Sequence, residues 1–227
     1  MAAENGLLGI SISKNSVILG LFAVATTGLI VLTQMNTKEP IAKARAEALA
    51  SALYEVLPQD THSNKLLDDT QQLAPDPLLG TKETKVAYIG RDQDNPMAAI
   101  LQVTAPEGYG GSINLLVAIL ADGTVSGVRV VPPHPETPGL GDAIDIAKSD
   151  WILSFNGKSL QNPKPEQWKV KKDGGVFDSF TGATITPRAV VDAVHKALQY
   201  FQANKANLFG KPATIKSSDN NSTASNG

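Results

Sequence analysis

The sequence predicts an α+β protein: a single N-terminal transmembrane helix followed by one domain with an antiparallel sheet and flanking helices. Three observations carry this. An uncharged apolar run, Val17–Leu32, is long enough to enter a bilayer as a helix. From Lys85 the pattern changes to short β-rich runs separated by turn residues. Near the C-terminus, apolar residues recur at helical spacing after Thr186-Pro187.

Extended through uncharged flanks, the apolar run covers residues 16–35. About 20 residues at roughly 1.5 Å each span the hydrocarbon core of a bilayer. Gly20 and Gly28 are tolerated in membrane helices. A cleaved signal peptide is the rival, with Lys14 as its basic flank. The run exceeds the usual h-region of about 7–15 residues. No small-x-small cleavage site follows closely, the first being Ala42-Lys43-Ala44. Composition alone does not separate the run from a buried soluble helix. A retained anchor is the expectation, preceded by an N-terminal segment, 1–15. Only Lys14 and the α-amino group are basic before it, against Lys38, Lys43 and Arg45 after it. Taken alone, that bias places the following domain in the cytoplasm, but large domains are translocated despite such charges. Charge leaves the side open.

Residues 36–84 are expected to be a connecting helix and a linker. Pro40 suits a first helical turn and opens a helix to Leu57. Its apolar face is Ile41, Ala44, Ala48, Ala52 and Val56, broadened by Leu49 and Leu53, which suits docking. Asp60 to Gly80 is polar and contains proline, as a linker or surface loop does.

The folded domain is expected over 85–211. Val86–Ile89 and Ala98–Thr104 predict strands. Asn114–Leu120 and Val125–Val131 predict two more, joined by the hairpin signal Asp122-Gly123. The last helix begins with Thr186 as N-cap and Pro187 in the first turn, and runs to about Phe201. Val190, Val191, Val194, Leu198 and Phe201 form its buried stripe. The segment 212–227 is low in complexity and is expected to be disordered.

Composition narrows the function. The formal net charge of −2, with acids and bases mixed, gives no electrostatic footprint for nucleic acid. The 42% hydrophobic fraction suits a packed core. The absence of cysteine excludes disulfides, thiolate chemistry, iron–sulfur clusters, CxxCH haem attachment and lipoprotein anchoring. His62, His134 and His195 lack metal-ligand spacing, so no metal site is expected.

The segment with chemical content is Asp178-Ser-Phe-Thr-Gly-Ala-Thr184, directly before the last helix. A polar loop feeding a capped helix accounts for its ends, but not for Thr181-Gly182-Ala183-Thr184. Small residues around a threonine leave one hydroxyl open to an incoming enzyme. A phosphate on Thr184 would lie beside the free amides of the next helix, where the dipole favours an anion.

This segment resembles the flavinylation pattern Asp-x-x-(Ser/Thr)-Gly-Ala-Thr, whose last threonine receives FMN from FAD by a flavin transferase. The resemblance implies a phosphoester to Thr184, with Asp178, Thr181, Gly182 and Ala183 as recognition positions. Glu107–Gly111, Glu136–Asp142, Asp150–Ile152 and Val170–Gly175 also resemble FMN-binding subunits of ion-translocating redox complexes. The stretch VKKDGGVFDSFTGATITPRAVVDAV is similar to the subunit designated G of the Rnf-type electron transport complex. The similarity runs from the anchor to about Phe201; the linker and tail carry no matching motif.

Around Glu136–Gly141, a flavin-lining role is expected of Glu136, Thr137, Gly139 and Leu140. Glycine admits close approach to a flat ring, and Glu136 and Thr137 offer hydrogen bonds. Glu107–Gly111 is equally consistent with a plain turn. His134 reads as a loop histidine, and Trp151 and Trp168 as core.

The resemblance implies a single-pass bacterial inner-membrane protein, its N-terminus cytoplasmic and its FMN domain periplasmic. It implies an electron-carrying subunit, not a stand-alone enzyme, in a complex coupling ferredoxin–NAD exchange to ion movement. The other subunits and the flavin transferase are the implied partners, and Thr184 is a tether with no catalytic part. The subunit designated C of a sodium-pumping NADH:quinone oxidoreductase shares the domain and is the nearest alternative. A non-redox sensory or structural domain is the alternative from another class.

Overall fold

A computed structural model describes residues 2–210, so the segment 212–227 lies outside the described residues. They fall into two compact units, one up to Leu49 and one from Ala50.

Helix α1, Ala2–Val56, supplies the first unit. It contains one stretch long and apolar enough to cross a membrane. The apolar side chains of that stretch face outward: Leu19 is 72% exposed and Phe22 70%. A helix that is apolar all round and has nothing packed on it suits lipid surroundings, not a soluble core.

The sequence places a helix start at Pro40; instead Pro40 lies inside α1. Proline removes one i→i−4 bond and crowds the carbonyl four residues back. Residues 31–44 are exposed wherever their side chains are described, so solvent can satisfy the freed carbonyl of Asn36. The expected docking face is used only at its C-terminal end. Leu53 and Val56 are buried, whereas Ile41, Ala44 and Ala48 are exposed.

The second unit is built on a five-stranded antiparallel sheet in sequential order. Its strands are β1 Thr70–Leu73, β2 Lys85–Asp92, β3 Asn95–Ala105, β4 Ile113–Leu120 and β5 Val125–Val130. Neighbours pair as simple meanders: Thr70 opposes Tyr88, Ala87 opposes Leu101, Val103 opposes Leu115, and Leu115 opposes Val130. Four of these strands match the sequence expectation. Asp122-Gly123 turns the β4–β5 hairpin, with Gly123 at φ +90° and Asp122 Oδ1 accepting from Thr124 N at 2.8 Å.

The strand β1 lies in the segment expected to be linker or surface loop. Its sequence, Thr-Gln-Gln-Leu, has no apolar alternation to announce a strand. Pairing with β2 recruits it, and the Arg91–Asp69 ion pair, at 2.7 Å, pins the adjoining turn.

Both faces of the sheet are covered, which is why β3 and β4 read as near-continuous apolar runs. Helix α2, Ile185–Leu208, packs on one face, against Ala99, Leu101, Val103, Leu115 and Val117. The expected stripe of Val190, Val191, Val194, Leu198 and Phe201 is buried there. Opposite, the last turn of α1 comes so close to β5 that a Cβ on Gly127 would lie 2.9 Å from Val56 Cα. The Glu55–Arg129 ion pair, at 2.9 Å, ties the same turn to β5.

Beyond β5 the chain has no further strand among the described residues. It proceeds through short 3₁₀ turns packed by aromatics. Trp151 is 8% exposed and Trp168 4%, both in the core as expected. Trp151 meets Phe155 edge-on at 5.4 Å, and Phe155 stacks on Phe177 at 4.7 Å. This cluster carries the loop Asp178–Thr184 to the start of α2.

Candidate functional site

Three chain segments, far apart in sequence, converge at the N-terminal end of α2. The first is the loop Asp178–Thr184. Trp151 Nε1 donates to the carbonyl of Asp178 at 2.8 Å, and Phe180 packs edge-on against Trp151 at 5.2 Å. The amide of Ala183 then closes a turn on the carbonyl of Phe180 at 3.2 Å, with Gly182 at φ +82°. A side chain is strained at that φ, so glycine lets the chain reverse and deliver Thr184 to the helix mouth.

The second segment is Glu136–Gly141. Thr137 O accepts from Leu140 N at 3.1 Å, with Gly139 at φ +78° inside this turn. Glu136 is 5% exposed. Its Oε1 accepts from Gly110 N at 3.2 Å and its Oε2 from Thr186 Oγ1 at 2.5 Å. The third segment, Glu107–Gly111, lies so close that a Cβ on Gly110 would collide with the Pro135 carbonyl oxygen. A buried carboxylate is costly unless hydrogen-bonded, and these donors come from the third segment and from the first turn of α2, into which the first segment leads. Glu136 therefore ties all three together.

Between them lies a cavity of about 290 Å³, lined by Tyr109, Glu136, Thr137, Leu140, Gly141, Gly182, Ala183, Thr184, Ile185 and Thr186. Glu136, Thr137, Leu140, Gly182, Ala183 and Thr184, singled out from the sequence, thus share one cavity. Gly139 forms the turn behind it. Asp178 and Thr181 do not line it; both are exposed, and Asp178 pairs with Lys171 at 2.7 Å. His134 is not among the lining residues and lies 3.8 Å from Asp145.

The sequence expectation is corrected at the helix start. Thr186 is not the N-cap: α2 begins at Ile185, and Thr184 holds the capping position without a side-chain cap bond. The buried Thr186 hydroxyl turns to Glu136, because a carboxylate is a stronger acceptor than a backbone group. Pro187 sits in the first turn, where its missing N–H costs no helical bond.

Sequence reasoning missed Tyr109, Thr186 and Arg188 as site residues. Tyr109 was hidden in a glycine-rich turn and Thr186 under its capping pattern. The signal for Arg188 is its spacing, four residues after Thr184 and so on the same helical face. Arg188 Nη1 donates to Thr184 Oγ1 at 3.3 Å. Its Nε and Nη2 donate to Asp173 at 2.6 and 2.7 Å. That hydrogen bonding is the main reason the Asp173 carboxyl titrates below the usual carboxylate range.

The cavity's chemistry fits a flat ring carrying a phosphate. Tyr109, Leu140 and Ile185, exposed by 70%, 44% and 47%, put three large apolar groups at one mouth, where a ring can cover them. Gly182 and Ala183 keep one wall thin, and Glu136 supplies fixed polarity. On the phosphate side, Thr184 offers a hydroxyl not spent on capping, beside the free amides of α2 and the Arg188 guanidinium.

Comparison with known proteins gives two family matches. Residues 108–199 match the FMN-binding domain, and residues 1–56 match the RnfG N-terminal region. Three relatives carry the same name, the G component of an ion-translocating oxidoreductase complex. The chain is 50% identical over 198 residues to that of Pseudomonas aeruginosa (strain UCBPP-PA14), covering 87% of this chain and 92% of that protein. The relative from Pseudoalteromonas atlantica is 47% identical over the same shares. That of Vibrio cholerae serotype O1 (strain M66-2) is 46% identical over 89% of this chain and 96% of its own.

Proposed function

We propose a specific role for this chain from one premise: it belongs to the RnfG family of ion-translocating oxidoreductase complex subunits and has an FMN-binding domain. Thr184 carries FMN through a phosphoester, and the chain relays electrons between neighbouring subunits of a membrane complex. Bound FMN supplies the electron-accepting and electron-donating chemistry. The single observation that carries this is the cavity walled by Gly182-Ala183-Thr184, with the threonine hydroxyl at the start of α2.

In maturation the Thr184 oxygen takes the FMN phosphoryl group of FAD. The pyrophosphate bond breaks, AMP leaves, and the hydroxyl proton is given up to solvent. Exposure of Asp178 and Thr181 supports their part in recognition by the transferase. After attachment, Glu136 and Thr137 offer hydrogen-bonding groups to the ring. Leu140, beside the Gly139 turn, covers it with Tyr109 and Ile185.

Residues 16–35 anchor the chain in a bacterial inner membrane by a single pass, with 1–15 cytoplasmic and the FMN domain periplasmic. The complex exchanges electrons between ferredoxin and NAD and couples that exchange to ion movement. The N-terminal match and the level of identity favour an RnfG role over that of the related component of a sodium-pumping quinone reductase.

Intact mass of the full chain, made with and without a flavin transferase, tests the attachment. One FMN added to the wild type and none to Thr184→Ala is the expected result. An equal gain by both would place the flavin elsewhere, and a colourless wild type would favour a non-redox domain.

A further inference from the structure

Arg188, four residues after the candidate acceptor, is held from one side by a single carboxylate. Asp173, on the turn Lys171–Asp173, takes two of its donors in a bidentate grip, Nε at 2.6 Å and Nη2 at 2.7 Å. That grip fixes the guanidinium plane and leaves the third corner, Nη1, directed at Thr184 Oγ1 at 3.3 Å. At that length a neutral hydroxyl is held weakly. A phosphate oxygen is a far better partner for that remaining corner, since charge-assisted bonds are shorter and stronger.

The local charge balance points the same way. Asp173 neutralises one positive charge, yet Lys169 and Lys172 also act on it electrostatically, alongside Arg188. With Lys196 counted beside these three cations, and Glu107 and Asp192 beside Asp173, the neighbourhood keeps one cation in excess. Arg188 also faces a neighbouring cavity of about 270 Å³ with Glu107, Asp192 and Lys196. Asp192 there is already paired with Lys196 at 2.7 Å.

We propose that Arg188 is the counter-ion of the phosphodiester on Thr184, a positioning residue that fixes the flavin tether, with Asp173 setting its guanidinium. This rests on Thr184 being the attachment point. The diester keeps one negative charge, and Arg188 confines it next to the first turn of α2. A tether fixed at its phosphate limits the orientations open to the ring.

The test uses the full chain in detergent, modified by a flavin transferase, with flavin mass recorded for every sample. Two signals come from modified molecules alone: the ³¹P resonance of the diester and the fluorescence anisotropy of the flavin. In Arg188→Gln, expected results are a ³¹P shift towards that of a free flavin phosphodiester and a loss of anisotropy. Arg188→Lys should retain part of both, and Asp173→Asn should lose anisotropy with a smaller ³¹P shift, because the cation remains.

Unchanged ³¹P and anisotropy in modified Arg188→Gln would overturn the proposal and leave the Arg188–Asp173 pair a structural staple. So would a folded Arg188→Gln that takes up no flavin, since a counter-ion of the finished ester is not needed to expose the acceptor. If near-UV circular dichroism shows that Arg188→Gln does not fold, Arg188→Lys decides. It keeps the charge but lacks the fork, so wild-type signals in it overturn the assignment. Absence of flavin mass on the wild type refutes the Thr184 attachment itself, a separate outcome.

Discussion

The carboxylate of Glu136 accepts the hydroxyl of Thr186 across 50 residues of sequence, inside the wall of the candidate flavin cavity. Its other oxygen takes the amide of Gly110. One side chain thereby holds the start of α2, the turn after β5 and the glycine-rich loop after β3 in register.

Thr186→Val keeps the side-chain shape and removes one donor from a buried carboxylate. Leaving such a group short of a partner costs about 1–3 kcal/mol. The denaturation midpoint of the variant should fall accordingly, and Thr186→Ser should recover most of the loss. A midpoint equal to the wild type would show that Glu136 finds another donor.

Gly141→Ala probes the same wall by crowding. A Cβ there would collide with Glu136 Oε2 and lie 3.1 Å from Thr186 Oγ1, so the carboxylate must move. Overpacking of this kind costs about 1–3 kcal/mol. Modification at Thr184 should survive, while the visible circular dichroism of the flavin changes because its polar wall has shifted.

Thr184→Ala removes the proposed acceptor hydroxyl, with no cap bond and only the long contact from Arg188 lost, so its stability cost should stay within about 1 kcal/mol. In-gel flavin fluorescence after denaturation should vanish. The variant should still co-purify with the other subunits, while ferredoxin–NAD electron exchange by the complex falls to background. Thr184→Ser should restore part of both signals. Normal turnover in a complex proven free of flavin on this chain would take it out of the electron path.

His195 stacks on Trp168 at 5.1 Å, nearly parallel, and burial pushes its ring below the ordinary value of 6.5, against a smaller opposing pull from Asp192. The folded state therefore binds this proton less readily than the unfolded chain. Its contribution to stability is complete above the ordinary value and is lost as the pH falls below it, towards the depressed folded value. Denaturation midpoints compared at about pH 7.5 and about pH 5 should show a drop. The drop should be smaller in His195→Phe, which keeps a ring against Trp168 but cannot titrate.

A chain beginning at Asn36 lacks the exposed apolar stretch of α1. It should remain in the soluble fraction after membranes are sedimented, and it should accept flavin from the transferase. If every such chain aggregates unmodified, the apolar stretch belongs to the fold.

What the amino-acid sequence determined by itself was local. Apolar runs and their periods defined the long apolar stretch of α1, four strands and the buried stripe of α2, because each is written in contiguous residues. The Asp178–Thr184 motif was legible for the same reason. Tertiary structure decided whatever depends on a partner distant in sequence. Strand β1 exists because β2 offers it a ladder, and α1 runs through Pro40 because solvent can take the carbonyl that proline frees. Thr186 leaves its capping pattern because Glu136, brought in by the fold, is the better acceptor. The spacing of Arg188 from Thr184 is written in the sequence, but its bidentate pairing with Asp173, 15 residues away, is a product of the fold. Hydrogen bonds and ion pairs act over about 3 Å in space whatever the separation along the chain, so only the folded chain could pair these residues.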